Sequence, residues 1–251
     1  MEEIRILDIK VNPLTTGELN REIGAIIREG RKELVLNVNV NAINQALKHP
    51  FMKELLNSAE IVFCDGHGVM LGAKILGHDI PERITYADWM WDLSAYMEAE
   101  GFSFYFLGAE EGVARAAAER LVGRFPALKV VGTRNGYFDK ENGAENDAVI
   151  EGINRVSPDI LVVGFGMPAQ ERWLKDNWER IDARVALTGG ACFDFISGSV
   201  KRAPRWMMTL WLEWFFRLLL QPRRMFYRYV VGNPLFILRV ILERLKRGLK
   251  K

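Results

Sequence analysis

Asp65 stands in the run Cys64-Asp65-Gly66-His67-Gly68, directly after the apolar stretch Ile61-Val62-Phe63-Cys64. A carboxylate held at a strand end between small residues can take a proton from a hydroxyl nucleophile. A base positioned for that step contributes typically ~10²–10⁴-fold. Duty as a helix N-cap accounts for an aspartate at this place equally well. An anionic leaving group in such a step would bring charge that must be met. No Asp-x-Asp occurs, and His49, His67 and His78 form no ligand spacing with Cys or Glu, so no metal site and no cofactor are expected. Helix N-termini and arginines are then left to stabilise that charge. Arg83 and the arginines beyond Lys201 are the candidates, with a solvated salt bridge as their ordinary alternative.

The elements that must hold these residues are legible as short β-branched runs alternating with helical patterns over residues 1–200. That alternation implies βαβ units and a mainly parallel sheet flanked by helices, an α/β fold. Strands are expected at 4–11, 33–38, 60–64, 103–107, 129–133, 159–164 and 184–188, with helices such as 111–125 and 168–181 between them. In such sheets ligands sit beyond the carboxyl ends of the strands. The residues there are Asn39 and Asn41, Asp65-Gly66, Gly108-Ala109, Asn135-Gly136-Tyr137, Gly164-Phe165-Gly166 and Gly189-Gly190. Glycines let backbone approach a ligand closely, and free N–H groups at the helix starts suit a phosphate, so the repeated pattern indicates a nucleotide-type ligand. Each single glycine is equally explained as a strand terminator. Gly164-x-Gly166 has Ala169 where a nicotinamide fingerprint needs its third glycine, which weakens an oxidoreductase reading.

Composition divides the chain. The 251 residues are 49% hydrophobic and 26% charged with a net charge of +2, an ordinary globular balance. Residues 201–251, however, hold 13 Lys or Arg against Glu213 and Glu243, while residues 1–200 hold 21 basic and 30 acidic side chains. A catalytic domain over 1–200 and a basic, aromatic-rich helical appendage over 201–251 are therefore expected. Glu213 and Arg217 interrupt the longest apolar stretch of the appendage, so no span of ~20 apolar residues is present. Amphipathic helices with Trp and Phe on one face and Lys or Arg on the other lie on an anionic membrane surface. Spacing alone leaves a second reading, in which Trp211, Trp214, Phe215 and Leu218 form the stripe of a helix docked on the domain. A nucleic-acid partner is not expected, because so many consecutive large apolar residues suit lipid better than a solvated groove. Exposed aromatics also make a homo-oligomer conceivable, self-association masking them in solution. The opening Met-Glu-Glu-Ile-Arg lacks the pattern of a secretory signal, and Cys64 and Cys192 sit in apolar settings, so export and a disulfide scaffold are not expected.

Over nearly its whole length the sequence resembles the WecG/TagA/CpsF family of bacterial glycosyltransferases. The resemblance is carried by Asn41-Ala42, Asp65-Gly66-x-Gly68, Pro81-Glu82-Arg83, Leu107-Gly108-Ala109, Asn135-Gly136-Tyr137-Phe138, Gly164-x-Gly166-x-Pro168-x-Gln170-Glu171, Gly189-Gly190-x-x-Phe193-Asp194, Arg202-Ala203-Pro204 and Leu212-Glu213-Trp214 with Arg217. It implies an α/β domain of the GT-E type, completed by a C-terminal appendage that docks on membrane. It further implies Asp65 as catalytic base, Arg83 and Gln170 beside it, and Asn39, Asn41 and the strand-end glycines as the pocket. Arg217, Arg224 and Arg228 would then reach the donor diphosphate or the membrane. The implied substrates are a UDP-sugar (N-acetylmannosamine, its uronic acid, or glucose) and an undecaprenyl-diphosphate-linked saccharide at the cytoplasmic face of the cell membrane. Asn39, Gln221 and Tyr227 depart from residues common in relatives, and Val231-Gly232-Asn233-Pro234-Leu235-Phe236 is more similar to the exopolysaccharide and enterobacterial-antigen branch than to the teichoic-acid branch.

Overall fold

The computed structural model describes residues 2–141, 143–210 and 212–248, apart from the side chains of Arg205 and Arg224. The first expected strand is instead a hairpin. β1 (Ile4–Ile6) and β2 (Ile9–Val11) pair antiparallel across Leu7 and Asp8, whose φ angles are 51° and 60°. Two successive positive φ values close a two-residue hairpin, a geometry usually signalled by Asn-Gly and here carried by residues that give no such signal. Ile4, Ile6, Ile9 and Val11 are all buried, and that burial offsets the turn's backbone cost.

Six parallel strands form the sheet: β3 (Glu33–Val38), β4 (Ile61–Cys64), β5 (Ser103–Gly108), β6 (Lys129–Arg134), β7 (Ile160–Gly164) and β8 (Val185–Thr188). Their spatial order is β4-β3-β8-β7-β5-β6. Strands in such a sheet are covered on both faces, which is why β3, β4, β7 and β8 read as apolar runs without alternation. β4 and β6 are the edges, and β6 is the least buried strand. One face is covered by α2 (Val40–Lys48), α3 (Pro50–Ser58), α4 (His67–Leu76), α7 (Ala144–Asn154) and α8 (Ala169–Asn177). The other is covered by α1 (Thr16–Arg28), α5 (Tyr86–Glu100), α6 (Val113–Arg124) and α9 (Cys192–Ser197). The α/β expectation thus stands, with the layered architecture of the GT-E class.

This topology places a crevice. β8 leads into α9 on one face, whereas its neighbours β3 and β7 lead into α2 and α8 on the other. Connections that part to opposite faces leave a gap beyond the carboxyl ends of the strands, where open α/β sheets bind ligands.

The last fifty residues behave as two segments. After α10 (Arg205–Thr209), α11 (Glu213–Leu220), α12 (Pro222–Phe226) and a π-helical turn (Tyr227–Val231) cross the mouth of the crevice. No side chain of α11 is buried, and Trp206, Leu210, Leu219 and Phe226 are each more than half exposed. The docked-stripe reading of α11 is thereby set aside, with Trp211 outside the described residues. α13 (Gly232–Gly248) returns to the body and packs on α2 and α4, burying Phe236 and Val240 in the same core as β1 and β3. Among the described residues no helix is long and apolar enough to cross a membrane.

Candidate active site

A cavity of ≈540 Å³ opens beyond β3, β4, β7 and β8 and is roofed by α11, α12 and the turn after them. Asp65 lies at its base. The carboxylate does not cap α4, whose N-cap is Gly66 with no side-chain bond to the helix, so the capping alternative falls. Instead it belongs to a polar chain within the sheet. Thr188 Oγ1 donates to Asn37 Oδ1 at 3.2 Å, and Asn37 Nδ2 donates to Asp65 Oδ2 at 3.2 Å. The Asp65 backbone N–H donates to the Val38 carbonyl at 2.8 Å, so the main chain is fixed as well. Burial raises the Asp65 carboxyl to about 7, against the opposing pull of Arg83, a hydrogen bond from Thr85, and the guanidinium groups of Arg228 and Arg217. A carboxyl titrating near neutrality exchanges protons readily at working pH, the property a general base needs.

Three cations therefore face one acid. Arg83 lies in the connection between α4 and α5, while Arg217 and Arg228 descend from the roof, and all three line the same cavity. Arg217 lies over the Phe195 ring, 5.1 Å from its centroid. Arg83 pairs with Glu213 of α11 at 3.3 Å, and Glu213 also meets Arg202 at 3.6 Å, whose other partner is Asp88 of α5. The alternative of an ordinary surface pair does not describe Arg83, since both it and Glu213 are mostly buried. Burial and the neighbouring Arg83 hold the His67 imidazole down to about 4, so it is neutral beside these arginines.

A model of the glycosyl transferase WecG/TagA/CpsF family matches residues 4–250 of the sequence. The chain belongs to this family. N-acetylglucosaminyldiphosphoundecaprenol N-acetyl-beta-D-mannosaminyltransferases are among its relatives. That of Bacillus subtilis (strain 168) is 28% identical over 90% of this chain and 82% of its own length. That of Bacillus spizizenii is 29% identical over 92% and 84%. That of Staphylococcus aureus (strain MRSA252) is 27% identical over 86% and 82%.

In this WecG/TagA/CpsF-family glycosyltransferase the remaining motif residues divide by position. Asn41, Gly66, Ala109, Tyr137, Gly164, Gly166, Gly189 and Gly190 line the cavity, as does Asn39, whose side chain also caps α2 by accepting from the Ala42 N–H at 3.0 Å. Gln170 is fully buried. Its Oε1 accepts from the N–H groups of both Gly166 and Gly190 at 3.1 Å, tying two strand-end loops together, and its Nε2 donates to Glu171 at 2.8 Å. Gln170 also lines the cavity, so its amide ties the two loops together at the pocket wall. Gly108 and Gly136 stand behind the cavity wall. With φ at 149°, Gly108 lies so close to the Gly164 backbone that an added Cβ would fall 2.4 Å from the Gly164 carbonyl oxygen. At both positions an added Cβ would meet a close neighbour, Gly164 beside Gly108 and Phe165 beside Gly136, so the absence of a side chain permits the packing. Asn135 bonds to Glu111 in a shallower depression outside the main cavity, which it shares with Glu110 and Tyr137. The Arg224 side chain lies outside the described residues.

Sequence reasoning overlooked Asn37, Thr85 and Thr188, and it gave Glu213, part of the motif Leu212-Glu213-Trp214, no role of its own. One signal was available for Asn37, a polar side chain inside the run Leu34-Val35-Leu36-Asn37-Val38. A buried amide in such a strand must find partners, and here its partner is the candidate base. Among the described residues, no group of three or more His, Cys, Asp or Glu side chains is arranged to hold a metal ion.

Proposed function

We propose that this glycosyltransferase moves a hexosyl residue from a UDP-sugar to a polyprenyl-diphosphate-linked saccharide, with inversion and without a metal. N-acetylmannosamine is the first donor to test, because it is the sugar in the relatives' names, although the segment 231–236 is more similar to another branch. Its uronic acid and glucose follow. The observation that carries the reading is the buried carboxylate of Asp65, at the base of a strand-end cavity and faced by Arg83, Arg217 and Arg228. As the acceptor oxygen bonds to the anomeric carbon, its proton passes to Asp65, and the electron pair of the breaking sugar–oxygen bond leaves with UDP. The arginines meet the charge that develops on the diphosphate.

Purified protein given UDP-N-acetylmannosamine and a short-chain polyprenyl-diphospho-N-acetylglucosamine should release UDP only when acceptor is present, at a rate unchanged by EDTA. Release abolished by EDTA and restored by a divalent ion would overturn the metal-free mechanism. Absence of release with every donor, despite UDP binding, would favour a non-catalytic lipid-binding protein.

The roof supplies the membrane contact in this reading. Exposed Trp206, Leu210, Trp214, Phe215, Leu219 and Phe226 share residues 205–231 with Arg217, Arg223 and Arg228. Such a surface inserts apolar groups at the headgroup level of an anionic leaflet, the cytoplasmic face in bacteria, while each basic residue adds ~1 kcal/mol. The double variant Trp206→Glu/Leu219→Glu should lower co-sedimentation with phosphatidylglycerol vesicles at least about tenfold, as expected when two buried apolar side chains are lost and two negative charges added. Unchanged binding would remove this surface from the reading.

A further inference from the structure

Asn37 is an anomaly of composition that the geometry resolves. It occupies β3, which is hydrogen-bonded on one side to β4 and on the other to β8, so its Cα has no freedom to drift. The side chain is 4% exposed, and Thr188 at the end of β8 is 1% exposed. A buried amide must satisfy both its ends, and the two ends here have different partners. The Thr188 hydroxyl donates to Oδ1, which fixes the amide's orientation and sends Nδ2 toward Asp65. Were the hydroxyl absent, nothing would prevent the amide from turning its oxygen toward a carboxylate, where two acceptors repel.

We propose that Asn37, itself oriented by Thr188, is the positioning residue of the active site: it aims the Asp65 carboxylate and stabilises its ionised form between catalytic cycles. The inference rests on the reading of Asp65 as base, and neither Asn37 nor Thr188 needs to touch substrate. The amide donates to Asp65 as a carboxylate, the state in which the base meets the acceptor hydroxyl. A leucine of similar size cannot do this.

Asp65 is faced by the guanidinium groups of Arg83, Arg217 and Arg228 and by further neutral groups besides this pair. Thr85 donates a hydrogen bond, and Tyr86, Cys64 and Cys192 stay neutral because burial pushes each of them up, Cys64 to about 12. Glu171 is raised to about 7 by burial, but it bonds to Gln170 and not to this chain of groups.

Carbon-13 NMR of carboxyl-labelled protein reads Asp65 directly, its resonance assigned by loss in Asp65→Asn. Asn37→Leu should raise the Asp65 midpoint by about one pH unit, the shift expected when a hydrogen bond to a charged group is lost. Thr188→Val should move it in the same direction, and Thr188→Ser, which keeps the hydroxyl, should leave it in place. At pH 7 both shifted variants should lose kcat by about tenfold, with KM for the UDP-sugar within about twofold, since the loss concerns aim and ionisation rather than donor binding. Thr188→Val is nearly isosteric and keeps the fold testable even where Asn37→Leu does not. Midpoints unchanged in both variants would overturn the inference, as would shifted midpoints with undiminished kcat. Full turnover in Asp65→Asn would instead overturn the reading of Asp65 as base, a separate and recognisable result.

Discussion

Asp65→Asn should reduce sugar transfer by at least about 10²–10⁴-fold, the contribution of a positioned general base, while UDP binding is retained. The substitution preserves shape and still offers an oxygen toward Asn37 and Thr85, so lost turnover cannot be assigned to a collapsed cavity. The pH dependence has a definite sign. With its carboxyl raised to about 7 by burial, Asp65 is protonated and idle as a base below that value, so kcat should climb as pH rises through 7 and level off above it. An ordinary carboxylate would place that limb near 4. Stability should run the other way. The folded-state value lies above the ordinary 3.8, so the folded protein holds an extra proton between about 4 and 7, and stability declines as pH rises through that window. Asparagine carries no charge to desolvate. The inactive variant should therefore melt at a higher temperature than the parent at pH 8 and show little difference at pH 4. Calorimetry at the two pH values checks this, and an equal difference at both would mean that ionised Asp65 imposes no burial cost.

The contrast between Asp65 and Asn37 shows what the amino-acid string discloses. Asp65 was legible because a strand signal ends at it and glycines follow, and the alternation of elements alone puts strand ends on the ligand side. The six-stranded parallel sheet followed from the same periodicities. The link from Asn37 to Asp65 was not legible. It depends on β3 lying beside both β4 and β8, and strand order is set by crossovers that leave no local trace in sequence. Gln170 illustrates the reverse case. Its motif marks the residue, but only the closeness of the β7 and β8 loops reveals that its amide is spent on Gly166 and Gly190. The hairpin at Leu7-Asp8 was missed because its positive φ angles are imposed by the burial of four flanking β-branched residues, a tertiary effect that overrides local turn chemistry. Glu213 looked like an interruption of an apolar stretch. In the folded chain it is the charge that joins the roof to Arg83 and Arg202.

Phe236→Ala should cost about 3–5 kcal/mol of stability, the range for removing a fully buried aromatic ring. Phe236 is 0% exposed, and its ring tip lies against Gly72 of α4, where an added Cβ would sit 2.7 Å away. A glycine on α4 and a phenylalanine on α13 thus fit together as recess and knob, and no neighbouring side chain can relax into the hole without moving a helix. Polar anchors share the load. Glu243 accepts from the Leu7 N–H at 2.9 Å, Arg239 donates to Asn44 at 2.9 Å, and the Asn44 amide in turn donates to the Gly232 carbonyl at 2.9 Å. These bonds hold the base of the roof, because the turn ending at Val231 leads directly into α13, and Arg228 stands within that turn. Loosening α13 should therefore reach the cavity. Chemical denaturation of Phe236→Ala should show the lowered midpoint, and under conditions where the variant is still folded, kcat should fall because Arg217 and Arg228 no longer keep their places. Gly72→Ala approaches the same contact from the other side by overfilling it, with an expected cost of about 1–3 kcal/mol. A Phe236→Ala protein with unaltered stability would mean that α13 is held by its polar anchors alone. Unaltered kcat alongside lost stability would mean that the roof keeps its arginines in place independently of the helix that follows it.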